Sequence, residues 1–193
     1  MKRAIGVLLI LVLGFSLMGC GGPGGSDGNS GDNGSPGGSA QTQSIDTLDR
    51  SFSMVDGKVT FNVSSSWKEE VGDLPGGSEE FTFETESGAI LSVVYFSFYN
   101  EDPYEEFELM KEYFEYSDVL SNLQDISSNE FTRNGVSFVV FEYSYDTRQY
   151  GDKIEINAYI SKGDSRIVIY FIDSADQFNR GTFDALLDSF QWK

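Results

Sequence analysis

Thirty-one carboxylates, one thiol and no imidazole make up the reactive inventory of this 193-residue chain. Without histidine there is no Ser-His-Asp or Cys-His relay. Zinc and redox metals lose their imidazole ligand, and Cys20 has no second thiol to join it. Carboxylates alone can do two things: acid–base work as a converging pair, as in glycoside hydrolysis, or oxygen coordination of calcium. Glu105, Glu108, Glu112 and Glu115 recur at helical spacing and line one stripe. A calcium site needs roughly six to eight oxygens wrapped around one point, and no Asp-x-Asp-x-Asp-Gly run occurs. Asn100-Glu101-Asp102 is the alternative cluster. The stripe reads as a solvated face opposite Phe107 and Phe114. The expectation is no catalytic residue, no metal ligand and no cofactor.

Charge narrows the partners. Lys2 and Arg3, with Asp27 and Asp32, precede Asp46; from there on 11 basic residues face 29 acidic ones, a net of −18. Nucleic-acid binding needs clustered Lys and Arg to neutralise phosphates, and no such cluster exists. An acidic body is also repelled by anionic lipid. Aromatics are plentiful on the strand-like segments, where core packing accounts for most of them. Tyr145, Arg148 and Tyr150 fall at a hairpin tip and are expected to form a surface patch for a partner.

Cys20 closes an N-terminal export pattern. Met1-Lys2-Arg3 is a short basic region, and Ala4 to Met18 is apolar apart from Gly6, Gly14 and Ser16. Such a run is shorter than the roughly 20 residues a stable span requires and fits a signal peptide. It ends in Leu17-Met18-Gly19-Cys20, which resembles the lipobox of bacterial lipoproteins. That resemblance implies diacylglycerol on the Cys20 sulfur and cleavage by signal peptidase II between Gly19 and Cys20. Two acyl chains suffice for stable anchoring. The implied location is the outer face of the cytoplasmic membrane, in a Gram-positive cell, or the outer membrane of a Gram-negative one.

Residues 1–19 are thus read as signal peptide, and 20–45 as the lipidated cysteine and a Gly/Ser-rich tether. The tether has too few apolar side chains to offset ordering entropy and spans roughly 25–30 Å as a flexible coil. Residues 46–193 form one domain.

Within it the apolar pattern alternates between two periods. Strands are expected at Ser51–Val55, Lys58–Val63, Glu80–Glu86 and Ala89–Tyr99, with a two-residue turn at Asp56-Gly57 and a Gly/Pro loop at Asp73–Ser78. Asp102-Pro103 starts a helix as N-cap and first residue, and Phe107, Met110 and Phe114 form its buried stripe. Four further strands are expected at Asp125–Arg133, Val136–Asp146, Lys153–Ser161 and Ser165–Asp173, the first pair turning at Asn134-Gly135. Ser174 is expected to cap a last helix with Phe183, Leu186, Leu187 and Phe190 inward. Arg166–Asp173 is apolar on both faces, so the sheet must be covered on both. The expected class is α+β: an antiparallel sheet of about eight strands with two main helices packed on it.

The order of four strands, helix, four strands, helix, with Trp67-Lys68 after an early strand and Phe183-Asp-Ala-Leu-Leu-Asp-Ser-Phe190 at the end, resembles the PsbP-like family. That fold, an α/β/α sandwich, is shared by an extrinsic photosystem subunit, a small eukaryotic Ran-binding protein and many bacterial lipoproteins. Ser64 stands where members often carry proline. The resemblance implies a binding or assembly module and carries over no functional residue. The resulting expectation is a non-catalytic, membrane-anchored extracytoplasmic module that binds an envelope protein or surface ligand. The alternatives are a carboxylate-dependent enzyme acting on envelope polymers or a low-affinity calcium-responsive protein.

Overall fold

The computed structural model describes residues 46–72, 78–97, 99 and 101–193. The signal peptide, Cys20, the tether, residues 73–77 of the Gly/Pro loop and Asn100 lie outside the described residues. Among those described, no helix is long and apolar enough to cross a membrane.

The elements run β1 (Arg50–Met54), β2 (Val59–Val63), β3 (Lys68–Gly72), β4 (Glu79–Glu84), β5 (Ile90–Phe96), α1 (Pro103–Tyr116), β6 (Leu120–Arg133), β7 (Val136–Thr147), β8 (Gly151–Lys162), β9 (Ser165–Ser174), α2 (Arg180–Ser189) and β10 (Gln191–Trp192). They form not one sheet of eight strands but two sheets. Seven strands pair in the order β3-β4-β5-β9-β8-β7-β6, and β1-β2-β10 make a separate small one. All pairings are antiparallel.

The period-two pattern gives the large sheet two different faces. Phe81, Val93, Ile169, Ala158 and Val140 are successive cross-strand partners. The last four belong to the main apolar core with Phe183, Leu186 and Leu187 of α2 and Phe61 of the small sheet, and the half-buried Phe81 packs against it. Phe190 closes this layer, stacked on Phe61 with centroids 5.1 Å apart and edge-on to Phe138 at 6.4 Å. Full burial of each such ring contributes about 1.5–3 kcal/mol. One residue out of phase, Thr82, Ser92, Tyr170, Asn157 and Phe141 share the opposite face. α1 covers part of it: Phe107 stacks on Phe141 at 4.4 Å and Phe114 meets Tyr145 edge-on at 5.0 Å.

Local chemistry sets the element ends. Asp102 accepts the Tyr104 N–H at 2.8 Å and Pro103 opens α1. Asn134 and Gly135 both take positive φ (52° and 77°), as the tight β6–β7 turn requires. The first hairpin differs from expectation: Met54 pairs with Val59, so residues 55–58 form a four-residue loop rather than a two-residue turn. The last helix also starts later than expected. Ser174 ends β9, and Asn179 is the cap, accepting the Thr182 N–H at 3.3 Å.

Candidate functional site

An open groove of about 400 Å³ lies at one end of the apolar layer. Four chain segments build it. The domain entry brings Asp46, and the β4–β5 turn brings Thr85, Glu86, Ser87 and Ala89. The end of β9 brings Phe171 and Asp173, and the approach to α2 brings Gln177, Asn179 and Thr182. Every charged residue in this lining is a carboxylate.

Each wall is held by hydrogen bonds. The Trp67 indole N–H donates to Asp46 Oδ2 at 3.1 Å, and the Asp46 N–H donates to Thr182 Oγ1 at 3.3 Å. The early tryptophan landmark therefore fixes an acid of the groove. In the β4–β5 turn the Thr85 hydroxyl accepts the Ala89 N–H at 2.9 Å and pairs with Ser87 Oγ at 2.9 Å. Gly88, at φ 85°, supplies the left-handed residue of that turn. Asp173 is 4% exposed. Burial pushes its carboxyl above the usual range, against the Ser174 N–H (2.7 Å) and the nearby Lys153 charge, which both favour ionisation.

A second polar assembly is sealed beneath α1. The Glu155 carboxylate is 2% exposed and accepts the Tyr145 hydroxyl at 3.1 Å. The Asn157 amide nitrogen, turned towards Glu155, donates to Oε1 at 3.0 Å, and its oxygen then accepts the Tyr143 hydroxyl at 2.9 Å. Burial raises the Glu155 pKa while these three side chains oppose the rise. Nearby, Arg166 sits 3.5 Å from Glu106 and 4.7 Å from the centre of the Tyr99 ring, and donates to the Glu101 carbonyl. Burial lifts Glu106 too, opposed by the Tyr99 hydroxyl and Arg166. These groups are occupied by one another, and the Arg166–Glu106 pair ties α1 to β9.

The structure does not unite the residues expected at the hairpin tip. Tyr145 is 3% exposed under α1, whereas Arg148 and Tyr150 are exposed in the β7–β8 connection. A surface aromatic patch there reduces to Tyr150 beside Arg148. The reason is strand parity: Phe141, Tyr143 and Tyr145 alternate along β7 onto the one face that α1 covers. The glutamates at 105, 108, 112 and 115 are all exposed on the outer side of α1, as expected of a solvated face. Among the described residues, no three His, Cys, Asp or Glu side chains converge as a metal site would require. The groove itself had no local signature, since its three acids lie at positions 46, 86 and 173.

No protein-family model matches the sequence. No curated protein matches it either. Solved structures do match the fold. The solution structure of cyanobacterial PsbP (CyanoP) from Synechocystis sp. PCC 6803 aligns with a TM-score of 0.59 at 16% identity, covering 82% of this chain and 100% of that one. A crystal structure of a Bacteroides thetaiotaomicron VPI-5482 protein aligns with a TM-score of 0.52 at 10% identity, covering 76% of this chain and 49% of that one. The seven-stranded antiparallel sheet with its two helices and small accessory sheet is thus a PsbP-like fold.

Proposed function

We propose that this chain is a lipid-anchored extracytoplasmic binding module, attached through Cys20, whose groove receives a cationic group of an envelope protein or surface ligand. The observation that carries the reading is the groove lining: Asp46, Glu86 and Asp173 with hydroxyl and amide neighbours, an aromatic floor in Phe171 and no lysine or arginine. A concave site with one sign of charge concentrates ligands of the other. The PsbP-like fold supports a module of this kind by analogy only.

Two measurements test it. Cys20→Ser is expected to move the chain from the membrane fraction to the soluble one; retention in the membrane refutes the anchor. For the groove, spermidine serves as a cationic probe in an NMR titration. The expected result is shifts confined to residues 85–89 and 171–182 that disappear in Glu86→Gln/Asp173→Asn. Shifts spread over the whole acidic surface, unchanged in that variant, would refute a specific site.

One observation favours a second reading, carboxylate-dependent hydrolysis in the same groove. Asp173 has a raised pKa and shares the lining with two other acids, as an acid–base pair requires. Release of reducing ends from envelope glycans by the wild-type chain, and none by Asp173→Asn, would replace the binding reading with this one.

A further inference from the structure

The large sheet ends on one side in β6, whose partner among the described residues is β7 alone. β6 is 14 residues long, and nine of them are exposed. A free edge of this length presents a row of unpaired backbone N–H and C=O groups, which proteins ordinarily blunt with proline, lysine, bulges or a short strand. β6 contains no proline and no lysine. Its irregularities are confined to its first half, between Ser121 and Ser127. From Ser127 to Arg133 it runs in unbroken register against β7, so this stretch is a regular template for one more strand.

The charge around the edge selects the occupant. Residues 103–133 carry eight carboxylates against Lys111 and Arg133. Both cations are already engaged: Lys111 with Glu108 and Asp125, each at 2.9 Å, and Arg133 with Asp184 at 3.1 Å and Asp188 at 3.0 Å. On one side of the edge, Glu130 meets Tyr104 of α1, whose outer face carries the exposed glutamates. On the other, Arg133 leads to the acids of α2. A second copy of this chain would bring two such acidic borders together, which like-charge repulsion opposes.

We propose that Ser127–Arg133 is a docking edge for an extended, cationic segment of a partner protein, added as an eighth strand beyond β6. Backbone pairing supplies the affinity, and lysine or arginine at every second position places its cations on one face of the sheet, against the acids that border the edge there. This site is remote in sequence from the groove lining and does not depend on it.

The test is amide hydrogen exchange on the full chain in mild detergent, with a synthetic ten-residue peptide of alternating lysine and valine as probe. Exchange of the outward-facing amides among residues 127–133 is expected to slow by at least about tenfold when the peptide binds, and binding to weaken as salt rises. The same peptide with glutamate for lysine should not bind. Ser128→Pro and Asn129→Pro provide the edge control. Of two consecutive edge residues one turns its N–H outward, so one of these variants keeps the β6–β7 ladder protected and should lose the peptide. Protection appearing at residues 85–89 or 171–182 instead would overturn the proposal. So would equal binding of the glutamate peptide, undiminished binding by both proline variants, or self-association that protects β6 without peptide.

Discussion

The Tyr145 hydroxyl donates to Glu155 at 3.1 Å across the β7–β8 pair, and both residues are at most 3% exposed. A carboxylate is buried here with hydroxyl and amide partners and no cation among them. Hydrogen bonds to the charged form lower its cost, but desolvation outweighs them and lifts the pKa. The arrangement makes the layer beneath α1 sensitive to protons.

The sign follows from linkage. With the folded pKa raised above the ordinary value of 4.5, the folded state holds the Glu155 proton more tightly than the unfolded chain. The stability this contributes is fully present below pH 4.5 and is lost as pH rises through the folded value. Glu106 and Asp173 are shifted in the same direction and act likewise. Glu155→Gln is therefore expected to melt at a higher temperature than the wild type at pH 7.5, with the difference shrinking towards pH 4.5. Thermal melts of both proteins across that range check this. A variant less stable than the wild type at pH 7.5 would mean that Glu155 is held by something stronger than neutral hydrogen bonds.

Arg166 and Glu106 form a charge pair in this layer with both side chains largely buried, at 5% and 13% exposure. Removing only the cation leaves a carboxylate in a dry site. Arg166→Ala is expected to cost about 3–5 kcal/mol in denaturant unfolding. It also removes the guanidinium from the Tyr99 ring and from the Glu101 carbonyl, so the approach to α1 should loosen first. In Glu106→Gln/Arg166→Met most of that loss should return, since neither charge then remains buried. A double variant as unstable as Arg166→Ala would assign the effect to packing.

Much of this architecture was legible locally. The Asp102-Pro103 start of α1 and the Asn134-Gly135 turn need only their own residues, because capping and positive φ are short-range demands. The doubly apolar β9 correctly implied cover on both faces. β3 carries no signal of its own, because Lys68–Gly72 has no apolar alternation and is a strand by virtue of its pairing with β4. β10 is two residues long and exists only against β2. The split into two sheets was equally hidden: hairpin signals identify neighbours but not the sheet they join. The burial of Tyr145 leaves no local mark, because an aromatic near a turn reads the same whether a helix covers it or not. The groove is assembled from acids as far apart in the chain as Asp46 and Asp173, and no spacing rule reaches that far.

The β6–β7 turn separates backbone from side-chain effects at one residue. Asn134 sits at φ 52°, and its side-chain amide donates to the Asp188 carbonyl at 2.6 Å, near the end of α2. Asn134→Gly keeps the left-handed conformation and loses the bond, so it is expected to cost about 1 kcal/mol. Asn134→Ala loses the bond and adds the left-handed penalty of about 1–2 kcal/mol. The ordering wild type, Asn134→Gly, Asn134→Ala in urea midpoint is the expected outcome. If the two variants were equally destabilised, the backbone would carry no penalty there and the contact with α2 would account for the whole effect. In either case the loss should reach the last turn of α2, and faster amide exchange at Leu187 to Phe190 would report it.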